Sequence, residues 1–200
     1  MSLKLVVLAG SSQPSSQSAK VAAYLRGRLL QLGHCAAADL GLIDLGATPL
    51  PLWPAEDPGG VWSDCATLLR EADGVVLVSP EWHGMARPAL KNFFVYAGRR
   101  ELGHKPGLLV GVSAGQGGAY PLSELRASSY KNCRLCYLPE QLIVRQVEAV
   151  LNDQTAVDQA DARIRARADW ALQVLLHYAR AMRPLRTAIR FDSADFANGM

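Results

Sequence analysis

The sequence has few cysteines, no long apolar run and little net charge. Four cysteines in 200 residues are too sparse for a disulfide scaffold, so a reducing compartment is expected. The apolar stretch after Lys4 ends at Gly10 and lacks the pattern of a signal peptide, and no run reaches the roughly 20 residues that a membrane span needs. We therefore expect a cytoplasmic protein with no membrane partner.

The charge balance argues against nucleic-acid binding. The formal net charge is only +3, from 21 basic and 18 acidic side chains. In the C-terminal third, Arg163, Arg165 and Arg167 alternate with aspartates, which is typical of a solvated helix face. We expect no nucleic-acid partner.

Two of the cysteines, Cys133 and Cys136, form a C-x-x-C pair. A redox pair of this kind lies between a strand and the start of a helix, whereas this one follows a predicted helix, and no second pair stands at zinc-ribbon spacing. Core packing is therefore favoured over redox or metal chemistry, and no metal site is expected.

Strand-like and helix-like segments alternate along the chain. Half of the residues are hydrophobic, so the chain can form one domain with a sizeable core. Apolar runs predict strands at Leu5–Ala9, Ala36–Ile43, Gly74–Ser79, Leu108–Ser113 and Leu142–Val144. Periodic apolar positions predict helices at Ser16–Leu32, Val61–Glu71, Ala89–Ala97, Ala119–Lys131 and Thr155–Met182.

This alternation predicts a three-layer α/β sandwich with five parallel strands joined by right-handed crossovers. In such sheets the ligand lies beyond the carboxyl ends of the strands, where the strand order reverses. Three loops meet there: residues 10–18, 80–88 and 113–118. We take residues 1–183 as one domain and residues 184–200 as a C-terminal tail, in which Phe191 and Phe196 either dock on a neighbouring subunit or have no contact.

The first of these loops favours a phosphate ligand. Residues 10–18 read GSSQPSSQS between a strand and a helix, so backbone N–H groups and hydroxyls can donate to one phosphate. The loop lacks the G-x-G-x-x-G of dinucleotide sites and the G-x-x-x-x-G-K-[ST] of nucleoside triphosphatases. One glycine and many hydroxyls suit the phosphomonoester of FMN. The alternative, that these serines are only helix N-caps, stays open at this point.

Motifs in the three loops resemble the NADPH-dependent FMN reductase family, a flavodoxin-like group that includes quinone, azo and chromate reductases. The most specific match is SPEWHG at residues 79–84 followed by PALKN at residues 88–92, and SAGQGG at residues 113–118 is similar to a third family segment. The resemblance covers roughly residues 3–144. It implies a flavodoxin-like fold with strand order 2-1-3-4-5.

The resemblance also implies where FMN binds. The first loop would hold the phosphate, and the backbone of the second would approach the pyrimidine and N5 side of the ring. The third would leave the other flank of the ring free of side chains. The implied cofactor-binding residues are Gly10, Ser11, Gln13, Ser16, Ser18, Pro80, Glu81, Trp82, His83, Gly84, Ser113, Gly115, Gln116, Gly117 and Gly118.

The chain departs from the family pattern at three positions. Many members carry Arg where this chain has Gln13, so one charge-assisted bond to the phosphate is absent, and such bonds contribute about 1.5–3 kcal/mol. We therefore expect FMN to be held loosely. Trp82 and His83 replace Tyr and Asn. Trp82 is expected to pack or to stack on substrate. His83 either caps or lines the loop, or it tunes the potential of the flavin or donates a proton to a bound quinone.

The leading hypothesis is an oxidoreductase that passes electrons from NADPH or NADH through bound FMN to free flavin, a quinone or another small acceptor. No catalytic side chain is assigned, because the flavin carries the chemistry. One alternative is a flavodoxin-like electron carrier, although such carriers are typically acidic and this chain is mildly basic. Another is a regulatory protein with weak flavin binding. The resemblance further implies a homodimer or homotetramer, for which Phe93, Phe94 and Tyr96 are candidate interface residues.

Overall fold

The computed structural model describes residues 2–33, 35–57 and 59–189. The strands are β1 (Leu5–Ala9), β2 (Leu40–Asp44), β3 (Gly74–Trp82), β4 (Met85–Ala86), β5 (Pro106–Val112) and β6 (Cys136–Val144). The helices are α1 (Gln17–Gln31), α2 (Val61–Glu71), α3 (Pro88–Tyr96), α4 (Arg99–Leu102), α5 (Tyr120–Ser128) and α6 (Gln159–Ala188). A 3-10 turn, Ala37–Asp39, precedes β2.

Five parallel strands form the sheet in the order β2-β1-β3-β5-β6, and β4 pairs antiparallel with the end of β3. Counted without β4, this is the order 2-1-3-4-5, so the flavodoxin-like fold is confirmed. The sequence did not predict β4, because two residues are too short to show a strand period.

The helices cover both faces of the sheet, as a three-layer sandwich requires. One core cluster packs α1 and α6 on the sheet through residues such as Leu25 and Leu172. The other packs α2, α3 and α5 on the opposite face through Leu69, Phe93 and Leu125. The central strand residues are buried because they lie between both layers, which explains why their sequences are continuous apolar runs.

The last helix differs from its prediction at both ends. It starts at Gln159 and not at Thr155, because the Asp158 side chain accepts a 2.7 Å hydrogen bond from Asp161 N as an N-cap. It ends at Ala188 and not at Met182. The tail predicted from residue 184 therefore begins inside a helix, and Phe191 and Phe196 lie outside the described residues.

Ion pairs explain why this helix continues through Pro184. Arg183 and Arg186, on either side of the proline, both donate to the buried carboxylate of Asp73, which immediately precedes β3. The two arginines stabilise the last turns from outside the helix, which offsets the backbone hydrogen bond that proline cannot make.

Other boundaries were wrong by a few residues. The second strand begins at Leu40, because residues 37–39 form the 3-10 turn, and the last strand begins at Cys136, well before Leu142. The helix predicted over 119–131 ends at Ser128, and α4 was not predicted.

The C-x-x-C pair has the environment of packed thiols. The Cys133 thiol is buried and donates to Ser129 O at 3.1 Å, and burial raises the pKa of both Cys133 and Cys136. Thiolates are thus disfavoured at both positions. Within residues 2–33, 35–57 and 59–189, none of the helices combines the length and apolarity that crossing a membrane requires.

All three candidate interface aromatics make contacts inside this chain. Phe93 is fully buried, with ring centroids 6.1 Å from Trp62 and 5.4 Å from Phe94. The Tyr96 hydroxyl donates to Pro51 O at 3.0 Å. Core packing therefore accounts for the fully buried Phe93, and an interface role stays a prediction for Phe94 and Tyr96, which are partly exposed.

Candidate functional site

The three predicted loops lie side by side at the carboxyl edge of the sheet. They follow β1, β3 and β5, which are neighbours in the strand order. The order reverses between β1 and β3, the position at which doubly wound folds bind ligands. The fold thus brings together residues that are far apart in the sequence.

In the first loop, two serines have local partners. Ser16 Oγ accepts from Ala19 N at 3.1 Å and caps α1, and the buried Ser11 Oγ accepts from Gln13 N at 3.1 Å. Because each hydroxyl acts here as an acceptor, its own O–H remains able to donate to a ligand. The N-cap interpretation is therefore correct for Ser16 and is compatible with anion binding.

Gly10 has a packing reason to be glycine. Its N–H donates to Val78 O at 2.8 Å, and a Cβ here would lie 2.9 Å from that oxygen and 3.0 Å from Leu90 Cδ2. The start of the loop is thus pressed against β3 and α3.

Two buried donors near this loop have no hydrogen-bond partner among the described residues. One is Ser18 Oγ, in the first turn of α1. The other is Arg87 Nε, whose guanidinium also donates from Nη2 to Ser12 Oγ at 2.9 Å. Unpaired buried donors are costly unless an acceptor reaches them, and a phosphate offers only acceptor oxygens. The first loop, together with Ser18 and Arg87, therefore fits a phosphomonoester.

Arg87 was missed by the sequence interpretation. It belongs to neither motif, because it lies between SPEWHG and PALKN in the sequence. Only the fold places it between the first loop and Trp82, with its guanidinium carbon 4.9 Å from the Trp82 ring centroid. Gln13, by contrast, is exposed.

The second loop is a tight β-hairpin. Its two turn residues, His83 and Gly84, have φ of 51° and 71°, as a type I′ turn between β3 and β4 requires. A Cβ on Gly84 would meet nothing within 4 Å, so the left-handed backbone, and no close neighbour in the chain, explains this glycine. The turn exposes His83 and, beside it, Trp82 and Met85.

Glu124 fixes the hairpin from outside. Its carboxylate accepts from Ala86 N at 2.7 Å and pairs with Lys91 at 2.6 Å. The bond from Lys91 holds the pKa of Glu124 below its ordinary value, so the carboxylate stays ionised at neutral pH.

Glu81 joins the second loop to the third. Its Oε2 accepts from Gly118 N at 2.6 Å and from Tyr120 N at 3.2 Å. Gly117 allows the carboxylate to approach, because a Cβ there would lie 2.6 Å from Oε1. Both interactions are with the protein itself, so Glu81 and Gly117 position the loops.

The backbone of the third loop is held by hydrogen bonds, while Gly115 and Gln116 are exposed. Ser113 Oγ accepts from Gly115 N at 3.2 Å, Gln146 N donates to Gly115 O at 3.0 Å, and Arg145 Nε donates to Gly117 O at 3.2 Å. Gly115 has no neighbour within 4 Å of an added Cβ, and Gln116 is exposed. Open backbone is therefore found at Gly115, whereas Gly117 is occupied by Glu81.

The asparagine of the PALKN motif anchors the proline-rich loop. Asn92 Nδ2 donates to Pro51 O at 2.8 Å, and Asn92 Oδ1 accepts from Trp53 N at 3.0 Å. The Trp53 ring packs edge-on against Tyr96 at 5.1 Å. The motif thus organises the loop after β2, at the same edge of the sheet.

Comparison with known proteins identifies the family. The family model described as NADPH-dependent FMN reductase matches residues 3–149. The NADPH azoreductase of Bacillus sp. (strain OY1-2) is 32% identical over 149 residues, which are 71% of this chain and 76% of the relative. The FMN-dependent NADPH-azoreductase of Staphylococcus saprophyticus is 28% identical over 131 residues, or 62% and 68% of the two chains.

A solved structure shares the fold. The flavoenzyme NAD(P)H:(acceptor) oxidoreductase FerB from Paracoccus denitrificans has a TM-score of 0.69 at 19% identity, covering 90% of this chain and 98% of that one. The chain therefore belongs to the NADPH-dependent FMN reductase family, as an oxidoreductase that uses FMN and NAD(P)H.

Proposed function

We propose that this chain passes electrons from NADPH, through FMN bound at the three loops, to a small planar acceptor such as a quinone, an azo compound or free flavin. Bound FMN supplies the two-electron chemistry between nicotinamide and acceptor. The observation that carries the proposal is the pair of unpartnered buried donors, Ser18 Oγ and Arg87 Nε, at the switch point of the sheet.

The first loop would hold the FMN phosphate. Ser11, Ser16 and Ser18 supply hydroxyls, and the first turn of α1 supplies unbonded N–H groups whose dipoles favour an anion. This set suits one phosphate and lacks the glycines that a pyrophosphate needs, so FMN is favoured over FAD.

The second and third loops would hold the ring. The backbone from Trp82 to Gly84 is fixed by the hairpin turn and by Glu124, and the backbone at Gly115 is free of side chains. Rigid backbone groups lose little entropy when they bind a flat heterocycle, and they orient it for electron transfer.

Exposed aromatic rings support a planar acceptor. Trp82 is 48% exposed and Tyr120 is 68% exposed. Both lie beside the Glu81 clamp, by which we mean the hydrogen bonds that the Glu81 carboxylate accepts from Gly118 N and Tyr120 N. Rings of this size gain from stacking on flat apolar molecules. The azoreductase names of two relatives agree with such acceptors.

The purified chain tests the proposal directly. Apoprotein is titrated with FMN and with FAD, and the FMN-loaded protein is then mixed with NADPH under anaerobic conditions before a quinone or an azo dye is added. We expect tighter binding of FMN, bleaching of flavin absorbance by NADPH and its recovery with acceptor. Tighter FAD binding would refute the cofactor site. FMN binding without bleaching by NADPH would favour the electron carrier, and no flavin binding would favour the regulatory protein.

A further inference from the structure

Arg87 is a cation with no acidic partner in the part of the chain that the structure describes. Among residues 2–33, 35–57 and 59–189, its guanidinium makes one hydrogen bond, from Nη2 to Ser12 Oγ, and forms no ion pair with Asp or Glu. Its Nε is buried and has no hydrogen-bond partner among these residues. A guanidinium has five N–H donors, so most of its bonding capacity near the first loop is unused.

The position of Arg87 is fixed by its two neighbours. The Trp82 ring covers one side of the guanidinium, with 4.9 Å from the guanidinium carbon to the ring centroid, and Ser12 binds one end. Stacking uses the flat face of the group and leaves its in-plane donors for other acceptors. Such a fork suits two oxygens of one phosphate.

We propose that Arg87 binds the 5′-phosphate of FMN and supplies the positive charge that the family resemblance places at position 13, where this chain has an exposed Gln13. Arg87 is the N-cap residue of α3, at the end of the second loop, and its side chain extends to Ser12 in the first loop. This inference rests on the proposed function and changes one expectation drawn from the sequence, since FMN is then held firmly without an arginine at position 13.

The test compares two flavins that differ only in the phosphate. Apoprotein is titrated with FMN and with riboflavin, following the quenching of flavin fluorescence, for the parent, Arg87→Met and Arg87→Lys. We expect Arg87→Met to raise the Kd of FMN about ten- to a hundredfold, with little change for riboflavin, because one charge-assisted pair is lost. Arg87→Lys keeps the charge without the fork, so an intermediate Kd is expected. Arg163→Met, an exposed arginine on α6, is the matched control and should bind both flavins as the parent does.

A rescue experiment separates charge from structure. Gln13→Arg in the Arg87→Met background should recover most of the lost FMN affinity, and the same change in the parent should gain less, because both arginines serve one phosphate. An unchanged Kd for FMN in Arg87→Met and Arg87→Lys would overturn the inference, as would equal weakening of FMN and riboflavin.

Two further outcomes are distinguishable. If FMN affinity is unchanged while the preference for NADPH over NADH is lost, Arg87 binds the 2′-phosphate of the nicotinamide cofactor, and our assignment is wrong. If the parent itself binds FMN no more tightly than riboflavin, the proposed function fails at its phosphate site before Arg87 is considered.

Discussion

The Glu81 carboxylate accepts a 2.6 Å hydrogen bond from the backbone N–H of Gly118, and this contact ties the end of β3 to the loop after β5. Bonds between a carboxylate and N–H groups are stronger than neutral ones, and a second one comes from Tyr120 N. The Glu81 carboxylate therefore links two of the three site loops directly.

The clamp predicts different responses at two neighbouring glycines. Gly117→Ala should lower the free energy of unfolding by about 1–3 kcal/mol, because the added Cβ would lie 2.6 Å from Glu81 Oε1 and must displace the carboxylate. Gly115→Ala is the control, since nothing lies within 4 Å of its Cβ, and should change stability little. Urea denaturation of both apoproteins is the measurement. Equal stabilities of the two variants would contradict the clamp.

Gly84 tests the hairpin turn. Gly84→Val should destabilise the turn by about 1–2 kcal/mol, because a β-branched residue disfavours φ of 71°. Gly84→Asn should be tolerated, since asparagine accepts the left-handed region. If steric contact with FMN were the reason for this glycine, both variants would weaken FMN binding while leaving the apoprotein as stable as the parent. FMN titration and thermal unfolding of the apoprotein distinguish the two explanations.

His83 provides a test of proton donation. Its exposed position in the turn predicts that His83→Asn keeps both half-reactions, NADPH with flavin and reduced flavin with quinone, within a few-fold of the parent. Asn is the suitable substitute because it accepts the left-handed backbone. Stopped-flow absorbance measures each half-reaction separately. A loss of about a hundredfold in reoxidation alone would instead identify His83 as the proton donor.

The lowered pKa of Asp73 predicts an acid limb in the pH dependence of stability, that is, a fall in the free energy of unfolding as pH decreases. Burial alone would raise the pKa of Asp73, but hydrogen bonds from Arg183, Lys4 N and Arg186 outweigh burial and hold the pKa below its ordinary value. A lowered carboxylate pKa contributes stability that is complete above the ordinary pKa and is lost as pH falls toward the folded-state pKa. Asp73→Asn should therefore flatten this acid limb and lower stability at pH 7 by about 1.5–3 kcal/mol, because two partly buried arginines lose hydrogen bonds to a charged group.

The control for Asp73 is a more exposed ion pair made by Glu71, two residues earlier in the sequence. Glu71 pairs with Lys4 at 2.8 Å, and both side chains are about half exposed. Glu71→Gln should leave the pH dependence nearly unchanged, because exposed pairs contribute little. Denaturation from pH 2 to pH 7 compares the variants. An acid limb in Asp73→Asn as steep as in the parent would refute the assignment.

Local sequence patterns were sufficient to predict the five parallel strands, although not the starts of β2 and β6, and to single out the three candidate loops. The run Leu5–Ala9 is apolar at every position because β1 is buried on both faces. Such a run indicates a strand even when the neighbouring strands are not known. The hydroxyl-rich loop and the SPEWHG motif likewise lie within single segments. Their meeting at one edge follows from the parallel orientation of the strands, which the alternation of strands and helices predicted, whereas the strand order came from the family resemblance.

Tertiary structure decided the features that depend on pairs of distant residues. Helix α6 passes Pro184 because Arg183 and Arg186 reach Asp73, more than 100 positions away in the sequence. Glu81 became a clamp because Gly118 lies beside it, and Arg87 became a phosphate candidate because Ser12 and Trp82 hold it. Amino-acid patterns record the period and burial of one segment, whereas the partner of a polar side chain is set only when the strands pair and bring separate loops within hydrogen-bond distance.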